Sequence, residues 1–280
     1  MTTRELEPGI ITDLDRRNSY ANYLHLDRVL NAQVPLSDPP HHDEMLFIIQ
    51  HQVAELWFKL LIHELRAARQ AFVEDKLHRA QKTLTRVRHV QREMYSQWSI
   101  LATLTPSEYA EFRKVFGHAS GFQSPQYRLM EYLLGARDRA VLKLHRDNQA
   151  WYPQLRRTAS EPSVFDEFLR TLARRGFDIP AACTERDFAE ARELDPGVVA
   201  ALKTIYENPD RYWAEYEICE SLMDVGNNFQ FWRFHHMKTV ERIIGHKRGT
   251  GGSSGVSFLK RAMDDDFFPE LIQVRTEIGA

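Results

Sequence analysis

Residues Phe231 to Leu259 read FWRFHHMKTVERIIGHKRGTGGSSGVSFL, a helical pattern with two histidines that runs into a loop of Gly, Ser and Thr. The helical pattern begins upstream, after Pro209, and continues to Gly245 with few interruptions. A helix holds an imidazole in a fixed position, and glycines let backbone and small hydroxyls approach a bound molecule closely. We therefore expect the remainder of the chain to present partners to this stretch.

Two further long helical patterns precede it. From Asp43 the sequence EMLFIIQHQVAELWFKLLIHELRAARQAF is apolar on most sides, which is typical of a central helix. From Leu77 to Leu104 apolar residues recur at spacings of three and four, so this segment predicts a second long helix, antiparallel to the first. Pro106 starts a shorter helical pattern, and no segment alternates as a strand would. The sequence predicts an all-α bundle of long antiparallel helices.

The composition excludes several classes of protein. The 280 residues contain 37 Lys and Arg against 39 Asp and Glu, a net charge of −2, which gives no field that attracts nucleic acid. Only two cysteines are present, so we expect a reducing, cytoplasmic setting. The N-terminus has no apolar signal region, and no segment offers about 20 uninterrupted apolar residues. Neither secretion nor membrane insertion is predicted.

The first 19 residues are polar and contain Pro8 and Gly9, which predicts a flexible or partner-dependent arm. A helical pattern then runs from Tyr20 towards Pro35 and carries Tyr20, Tyr23 and Leu24 on one apolar face. That face packs either on the remainder of its own chain or on a neighbouring subunit. The pattern alone favours packing on its own chain.

His236 is a candidate ligand for haem iron, because a neutral imidazole binds iron and a rigid helix holds that imidazole in a fixed position. His235 and His236 project about 100° apart on a helix, so only one of them faces a given pocket. The periodicity favours His236, which shares its face with Trp232 and Val240. The alternative is a histidine buried in the core. A carboxylate-bridged di-iron site is disfavoured because the chain contains no Glu-x-x-His motif.

Other pairs at helical spacing could bind a small zwitterion. Phe47 and His51 lie one turn apart, and an apolar ring beside one polar group suits an aromatic molecule with a ring N–H. Tyr109 and Arg113 repeat the spacing, and the Arg113 guanidinium could hold a carboxylate through two bonds. The loop GTGGSSG lacks the Lys-Ser/Thr of a phosphate loop, so Thr250 and the loop amides are candidates for binding the zwitterion instead.

Three long motifs together resemble the tryptophan 2,3-dioxygenase family, of the shorter bacterial kind. They are HHDEMLFIIQHQVAELWFKLLIHEL (41–65), EYAEFRKVFGHASGFQSPQYR (108–128) and HMKTVERIIGHKRGTGGSSGVSFL (236–259). The resemblance spans nearly the whole chain. It implies a haem b enzyme that inserts both atoms of O₂ into the indole C2–C3 bond of L-tryptophan, giving N-formyl-L-kynurenine, the first step of the kynurenine pathway.

The resemblance also implies roles for individual residues. His236 would be the axial ligand of the haem iron, and His51 would accept a hydrogen bond from the indole N–H. The positions that it implies for substrate binding are Phe47, Ile48, Ile49, Gln50, His51, Tyr109, Arg113 and Thr250. Two residues depart from the pattern of the family. Phe116 stands where leucine is expected, and Ala119 stands where serine is usual. Phe116 puts tolerance for ring-substituted tryptophans in doubt.

The family is a homotetramer, a dimer of dimers, in which an N-terminal segment completes the active site of a neighbour. This implies that Tyr20, Tyr23 and Leu24 act in trans, which reverses the preference drawn from the pattern alone. The chain would then divide into an arm with its helix, residues 1–38, and an all-helical haem-binding catalytic domain, residues 39–280.

Three alternatives to this activity follow from the sequence. A non-catalytic haem-binding helical sensor would bind haem without forming product. An all-α interaction scaffold would carry no cofactor and would leave the FIIQH and GTGGSSG stretches without a role. The indoleamine dioxygenases share the chemistry, but they are usually longer and monomeric, and their pattern is not found in this chain.

Overall fold

The structure is a computed structural model that describes residues 6–12 and 19–279, and over these ranges it is helical without strands. This confirms the predicted all-α class. The α-helices in chain order are α1 Tyr20–Leu24, α2 Leu26–Val29, α3 His42–Val73, α4 Leu77–Ser96, α5 Trp98–Leu101, α6 Pro106–Phe112, α7 Pro125–Leu134, α8 Arg139–Leu144, α9 Tyr152–Ser160, α10 Val164–Arg174, α11 Ala181–Thr184, α12 Pro196–Glu207, α13 Trp213–Ile244, α14 Val256–Arg261 and α15 Pro269–Glu277. Short 3₁₀ turns are Arg113–Phe116, Gly121–Gln123 and Ala262–Asp264.

Three long helices form the centre of the fold. Helix α4 packs against α3 on one side and α13 on the other, while α7 and α10 pack on α3. The apolar residues of α4 that the sequence pattern identifies, including Leu84, Val87 and Met94, are buried between these neighbours. Burial of such side chains stabilises the fold by roughly 1.5–3 kcal/mol each.

The second long helix is shorter than the sequence predicts. Helix α4 ends at Ser96 and the short helix α5 follows at Trp98, so the helical run stops at Leu101 and not at Leu104. Gln97 between them keeps right-handed helical angles, and its N–H still donates to the Glu93 carbonyl. The Gln97 side chain is buried with neither amide atom hydrogen-bonded, whereas Trp98 and Leu101 of α5 line a cavity.

The N-terminal helical prediction was also too long. The segment from Tyr20 forms two short helices that break at His25, which has φ 50°, so the pattern does not continue to Pro35. After them, the backbone N–H groups of Leu36 and Ser37 donate to the buried carboxylate of Glu44 at 2.7 and 3.0 Å. These bonds attach the end of the N-terminal segment to the start of α3.

Helix α3 is, by length and composition alone, apolar enough to cross a membrane, although polar and charged residues interrupt its apolar run, as the sequence predicts. The central helix of a soluble protein meets the same criterion. Its contacts with α4, α7 and α10 show that α3 is a central helix here.

Capping interactions set the ends of the helices that surround the cavity. Thr105 and Glu108 form a reciprocal capping box at the start of α6. Ser124 caps α7 ahead of Pro125. Helix α13 ends at Gly245 with φ 59°, a left-handed conformation that favours glycine.

Candidate active site

A cavity of about 1280 Å³ lies between α3, α5, α6, α7, α13 and the loops that follow α6 and α13. Its lining contains aromatic, histidine and charged side chains. Ring contacts join Phe47 with His51, Tyr109 and Phe116, and join His236 with Trp98 and Trp232. We call the part lined by these seven residues the aromatic end. The predicted candidates on three separate helices therefore meet in one space.

His236 lines this cavity and His235 does not. The Trp98 ring stacks on His236 with centroids 4.8 Å apart, and the Trp232 ring lies at 5.5 Å. His235 is exposed and stacks on Tyr95 instead, at 5.7 Å. The two imidazoles point to different sides of α13, as the face argument predicts. No described residue hydrogen-bonds to the His236 ring.

Burial and, as a smaller cause, the nearby His51 lower the pKa of His236 from 6.5 to about 4. The imidazole is therefore neutral near pH 7, the form in which its nitrogen can bind a metal. Because the unfolded chain takes up this proton at higher pH than the folded chain, folding stability is lost as pH falls from 6.5 towards 4.

We expect the apoprotein to lose roughly 1.5 kcal/mol more of its unfolding free energy between pH 6.5 and pH 5 than the His236→Phe variant loses. Denaturant titrations of both proteins at the two pH values measure this difference. The exposed His235 provides the control, since His235→Phe should lose as much stability as the unchanged apoprotein. Equal losses in all three proteins would show that His236 titrates normally.

His51 has a defined tautomer. Its Nδ1 lies 2.7 Å from the carbonyl oxygen of Phe47, and because a carbonyl only accepts, Nδ1 carries the proton. Burial lowers the pKa of His51, although the Phe47 carbonyl and Glu55 oppose this shift, so the ring is neutral. Nε2 is then an unprotonated acceptor. The Phe47 ring packs against the His51 ring, with centroids 4.2 Å apart.

An aromatic wall extends from Phe47 across to α6. The Phe116 ring stacks on Phe47 at 4.5 Å, and Tyr109 lies 5.9 Å from Phe47. Burial raises the pKa of the Tyr109 phenol, and Arg113 opposes the shift. Phe116, the residue that departs from the family pattern, is therefore part of the pocket wall.

The Gly-rich loop after α13 closes over the same end. Arg113 Nη2 donates to the Arg248 carbonyl, and Thr250 Oγ1 donates to the Ala119 carbonyl at 2.5 Å. The bond from Thr250 is accepted by the backbone carbonyl of residue 119, so it does not depend on whether that residue is alanine or serine. A Cβ added to Gly251 would lie 2.8 Å from Ser120 Cβ, closer than real contacts allow. Glycine is thus required for the approach of the two loops.

Gly251→Ala should displace the loop and raise KM for the molecule that binds in this cavity about tenfold, since overpacking costs roughly 1–3 kcal/mol. Steady-state kinetics measure this. Gly121→Ala is the matched control, because a Cβ at Gly121 meets nothing within 4 Å and should leave KM unchanged. If the two variants had the same KM, the close contact with Ser120 would have no role in loop closure.

Several candidates lie away from the cavity. Ile48, Ile49 and Gln50 do not line it, and Ile49 is exposed while Gln50 is buried elsewhere. Their role in binding stays a prediction. The N-terminal residues Tyr20 and Tyr23 are 77% and 80% exposed and do not reach the cavity of their own chain.

Several residues that are not predicted from the sequence as site residues also line the cavity, chiefly Trp98, Ser120, Phe122, Tyr127, Arg128 and Arg233. The sequence pattern places Trp98 only in the apolar repeat of the second long helix. Arg128 and Glu131 are charged residues in the largely apolar helix α7, and they are a weak signal, because charged side chains are almost never buried unless they are paired.

The residues present fit haem, which the resemblance implies. The cavity is large, its aromatic end holds a neutral imidazole without a hydrogen-bond partner, and His51 lies near enough to influence that imidazole. The indole nitrogens of Trp98 and Trp232 are also buried and unpartnered, so these rings act as apolar walls. Among the described residues no His, Cys, Asp and Glu cluster forms a metal site without such a group.

The fold and the site define an all-α protein with a ligand cavity enclosed by aromatic rings and two histidines. A family model described as Tryptophan 2,3-dioxygenase matches residues 11–175 and 197–278. The tryptophan 2,3-dioxygenase of Kineococcus radiotolerans is 56% identical over 99% of this chain and 97% of its own length. That of Serratia proteamaculans is 53% identical over 100% of both chains, and that of Rhodococcus jostii 52% over 99% and 98%. The chain belongs to the tryptophan 2,3-dioxygenase family.

Proposed function

We propose that the protein is a haem b dioxygenase that converts L-tryptophan and O₂ to N-formyl-L-kynurenine, the first step of tryptophan degradation by the kynurenine pathway in the cytoplasm. The observation that carries this proposal is the convergence of His236, His51 and Arg113 on one cavity. Relatives that cover almost the whole chain carry the name tryptophan 2,3-dioxygenase. A haem-binding sensor has no comparable need for the Arg113 and Thr250 end of the cavity.

His236 would hold the haem iron, and the bound haem would supply the oxygen chemistry. The substrate carboxylate would lie against Arg113, whose guanidinium can donate to both oxygens, and Tyr109 beside it would assist. Thr250 would contact the carboxylate or the ammonium group of the substrate. Positioning both reactants in one enclosed cavity converts a bimolecular encounter into an oriented one.

The indole would lie against Phe47 and Phe116, with its N–H donating to His51 Nε2. This geometry supports an orienting role for His51, because Nε2 is already an acceptor in the neutral ring. An imidazole with a lowered pKa is a weak base and is poorly matched to an indole N–H. The enclosing rings would also exclude water from the reacting carbon atoms.

His51→Ala should therefore keep measurable activity, reduced about ten- to a hundredfold, because one buried hydrogen bond contributes roughly 1–3 kcal/mol. Its kcat and KM are to be measured beside those of His63→Ala. His63 is exposed on the same helix and should leave both constants unchanged. A completely inactive His51→Ala that still binds haem and tryptophan normally would mean that His51 transfers a proton.

We also propose a homotetramer, a dimer of dimers, in which residues 1–38 serve a neighbouring subunit and residues 39–280 form the catalytic domain. Apolar side chains support this, since Tyr20, Tyr23 and Leu24 of α1 are exposed. Met45, Ile49 and Leu56 of α3 are exposed as well, which is costly on a monomer. Deletion of residues 1–38 should abolish activity. Mixing this shortened protein with His236→Ala subunits, which keep the arm, should restore activity.

The test of the function is aerobic turnover by the reduced, haem-loaded protein with L-tryptophan. We expect a haem absorption band and the growth of N-formylkynurenine absorbance. A haem band without product would favour the sensor, and a protein that binds no haem would contradict both.

A further inference from the structure

Glu55 is a carboxylate in the wall of the cavity, and the proposed function gives it no role. It follows His51 by four residues on α3, so the two side chains lie on one face of the helix. Both line the cavity that contains His236, and Glu55 is partly buried. Burial has the largest effect on the pKa of His51 and lowers it, while the Phe47 carbonyl and then Glu55 oppose that shift. The negative charge of Glu55 therefore acts inside the site.

One side chain of α7 fixes the position of this carboxylate. Gln126 Nε2 donates to Glu55 Oε2 at 2.7 Å and to the backbone carbonyl oxygen of Glu55 at 2.9 Å. These two bonds join α7 to α3 a single helical turn beyond His51. The Gln126 amide is neutral, so it holds the carboxylate in place beside the cavity without cancelling its charge.

Within residues 6–12 and 19–279 no cation forms an ion pair with Glu55. Lys59, the nearest lysine or arginine along α3, is exposed and lies outside the cavity. Arg128 and Arg233 line the cavity, but both pair with Glu131 instead. In the described part of the chain, Glu55 thus adds a negative charge to the cavity wall that no protein cation balances directly.

We propose that the charge of Glu55 lowers the reduction potential of the haem whose iron His236 holds. This inference rests on the proposed function. Adding one electron to iron(III) removes one positive charge from the cavity, and a nearby anion stabilises the form with the greater positive charge. Glu55 therefore favours iron(III) over iron(II). Because the proposed activity uses the reduced protein, Glu55 sets how strong a reductant the enzyme needs.

The test is a redox titration of the haem-loaded protein without tryptophan or O₂, with dithionite as the electron source and dyes of known potential as the reference. The haem absorption band reports the ratio of iron(II) to iron(III). Glu55→Gln keeps the shape of the side chain and an oxygen that accepts from Gln126, but it removes the charge. At a fixed potential its ratio of iron(II) to iron(III) should be about tenfold that of the unchanged protein, a rise in potential of about 59 mV.

Glu55→Asp and Glu64→Gln are the matched controls. Glu55→Asp keeps the charge on a side chain that is one carbon shorter, so its potential should stay close to that of the unchanged protein. Glu64 is a buried glutamate on the same helix, but it pairs with Arg86 at 2.7 Å and does not line the cavity. Glu64→Gln should therefore leave the potential unchanged. A purely structural role of Glu55 would not separate its Asp variant from its Gln variant by charge.

A potential of Glu55→Gln that equals that of the unchanged protein, or lies below it, would overturn the proposal. An equal rise in Glu55→Asp would overturn it too, because the charge would then not be the cause. If Glu55→Gln did not fold, Glu55→Leu, which also removes the charge, carries the same expectation. Failure of the unchanged protein to bind haem would overturn the proposed function as well, whereas a bound haem whose potential does not move would overturn this inference alone.

Discussion

His236→Ala should lose turnover by about three orders of magnitude or more, the effect of removing an interaction that contributes roughly 4 kcal/mol. The reason is that His236 is the only histidine on the cavity side of α13, where its ring packs against Trp98 and Trp232, so no neighbour can replace it. Turnover and the absorption spectrum after reconstitution measure the loss. We expect the spectrum of a bound, histidine-ligated haem to disappear with the activity.

His235→Ala is the control for this result, because its imidazole differs in position by one residue and stacks on Tyr95 outside the cavity. It should keep the spectrum and nearly full turnover. A reversal, with His235→Ala inactive and His236→Ala active, would show that α13 presents its other face to the cofactor. External imidazole should restore part of the spectrum in His236→Ala, since the space left by the side chain lies on the cavity.

Arg113→Lys should raise KM for tryptophan roughly ten- to a hundredfold. Lysine keeps the positive charge but loses the planar pair of donors, and hydrogen bonds to charged groups contribute about 1.5–3 kcal/mol. The substitution also removes the bond from Arg113 to the Arg248 carbonyl, which holds the Gly-rich loop. Steady-state kinetics and a tryptophan binding titration on the haem-loaded protein separate substrate affinity from kcat.

Lys114→Met provides the comparison, because Lys114 is the adjacent basic residue but is exposed and does not line the cavity. Its KM should stay unchanged. An Arg113→Lys protein with normal KM and normal tryptophan affinity would remove Arg113 from the binding of the carboxylate.

Helical period alone predicts the local pairs of the site. Phe47 and His51 stand four residues apart, and their rings meet at 4.2 Å because this spacing places them on one face of α3. The same rule pairs Tyr109 with Arg113 and separates His236 from His235. The sequence therefore predicts which side chains share a face and which face is apolar.

Contacts between elements cannot be predicted in this way. The stacking of Trp98 on His236 joins α5 to α13, and the apolar repeat does not reveal which residue of the facing helix Trp98 meets. The ion pair of Glu131 and Arg233 joins residues 102 positions apart, so it depends on how α7 lies against α13. The sequence predicts a chain that is helical nearly everywhere, but it does not give bounds for helices α9, α12, α14 and α15.

The most direct test of the account is turnover of L-tryptophan under a mixture of ¹⁶O₂ and ¹⁸O₂, with mass analysis of the product. The account predicts N-formyl-L-kynurenine that carries either two ¹⁸O atoms or none, because both oxygens come from one O₂ molecule. Product with a single ¹⁸O atom as the main labelled species would contradict a dioxygenase and would require a second source of oxygen.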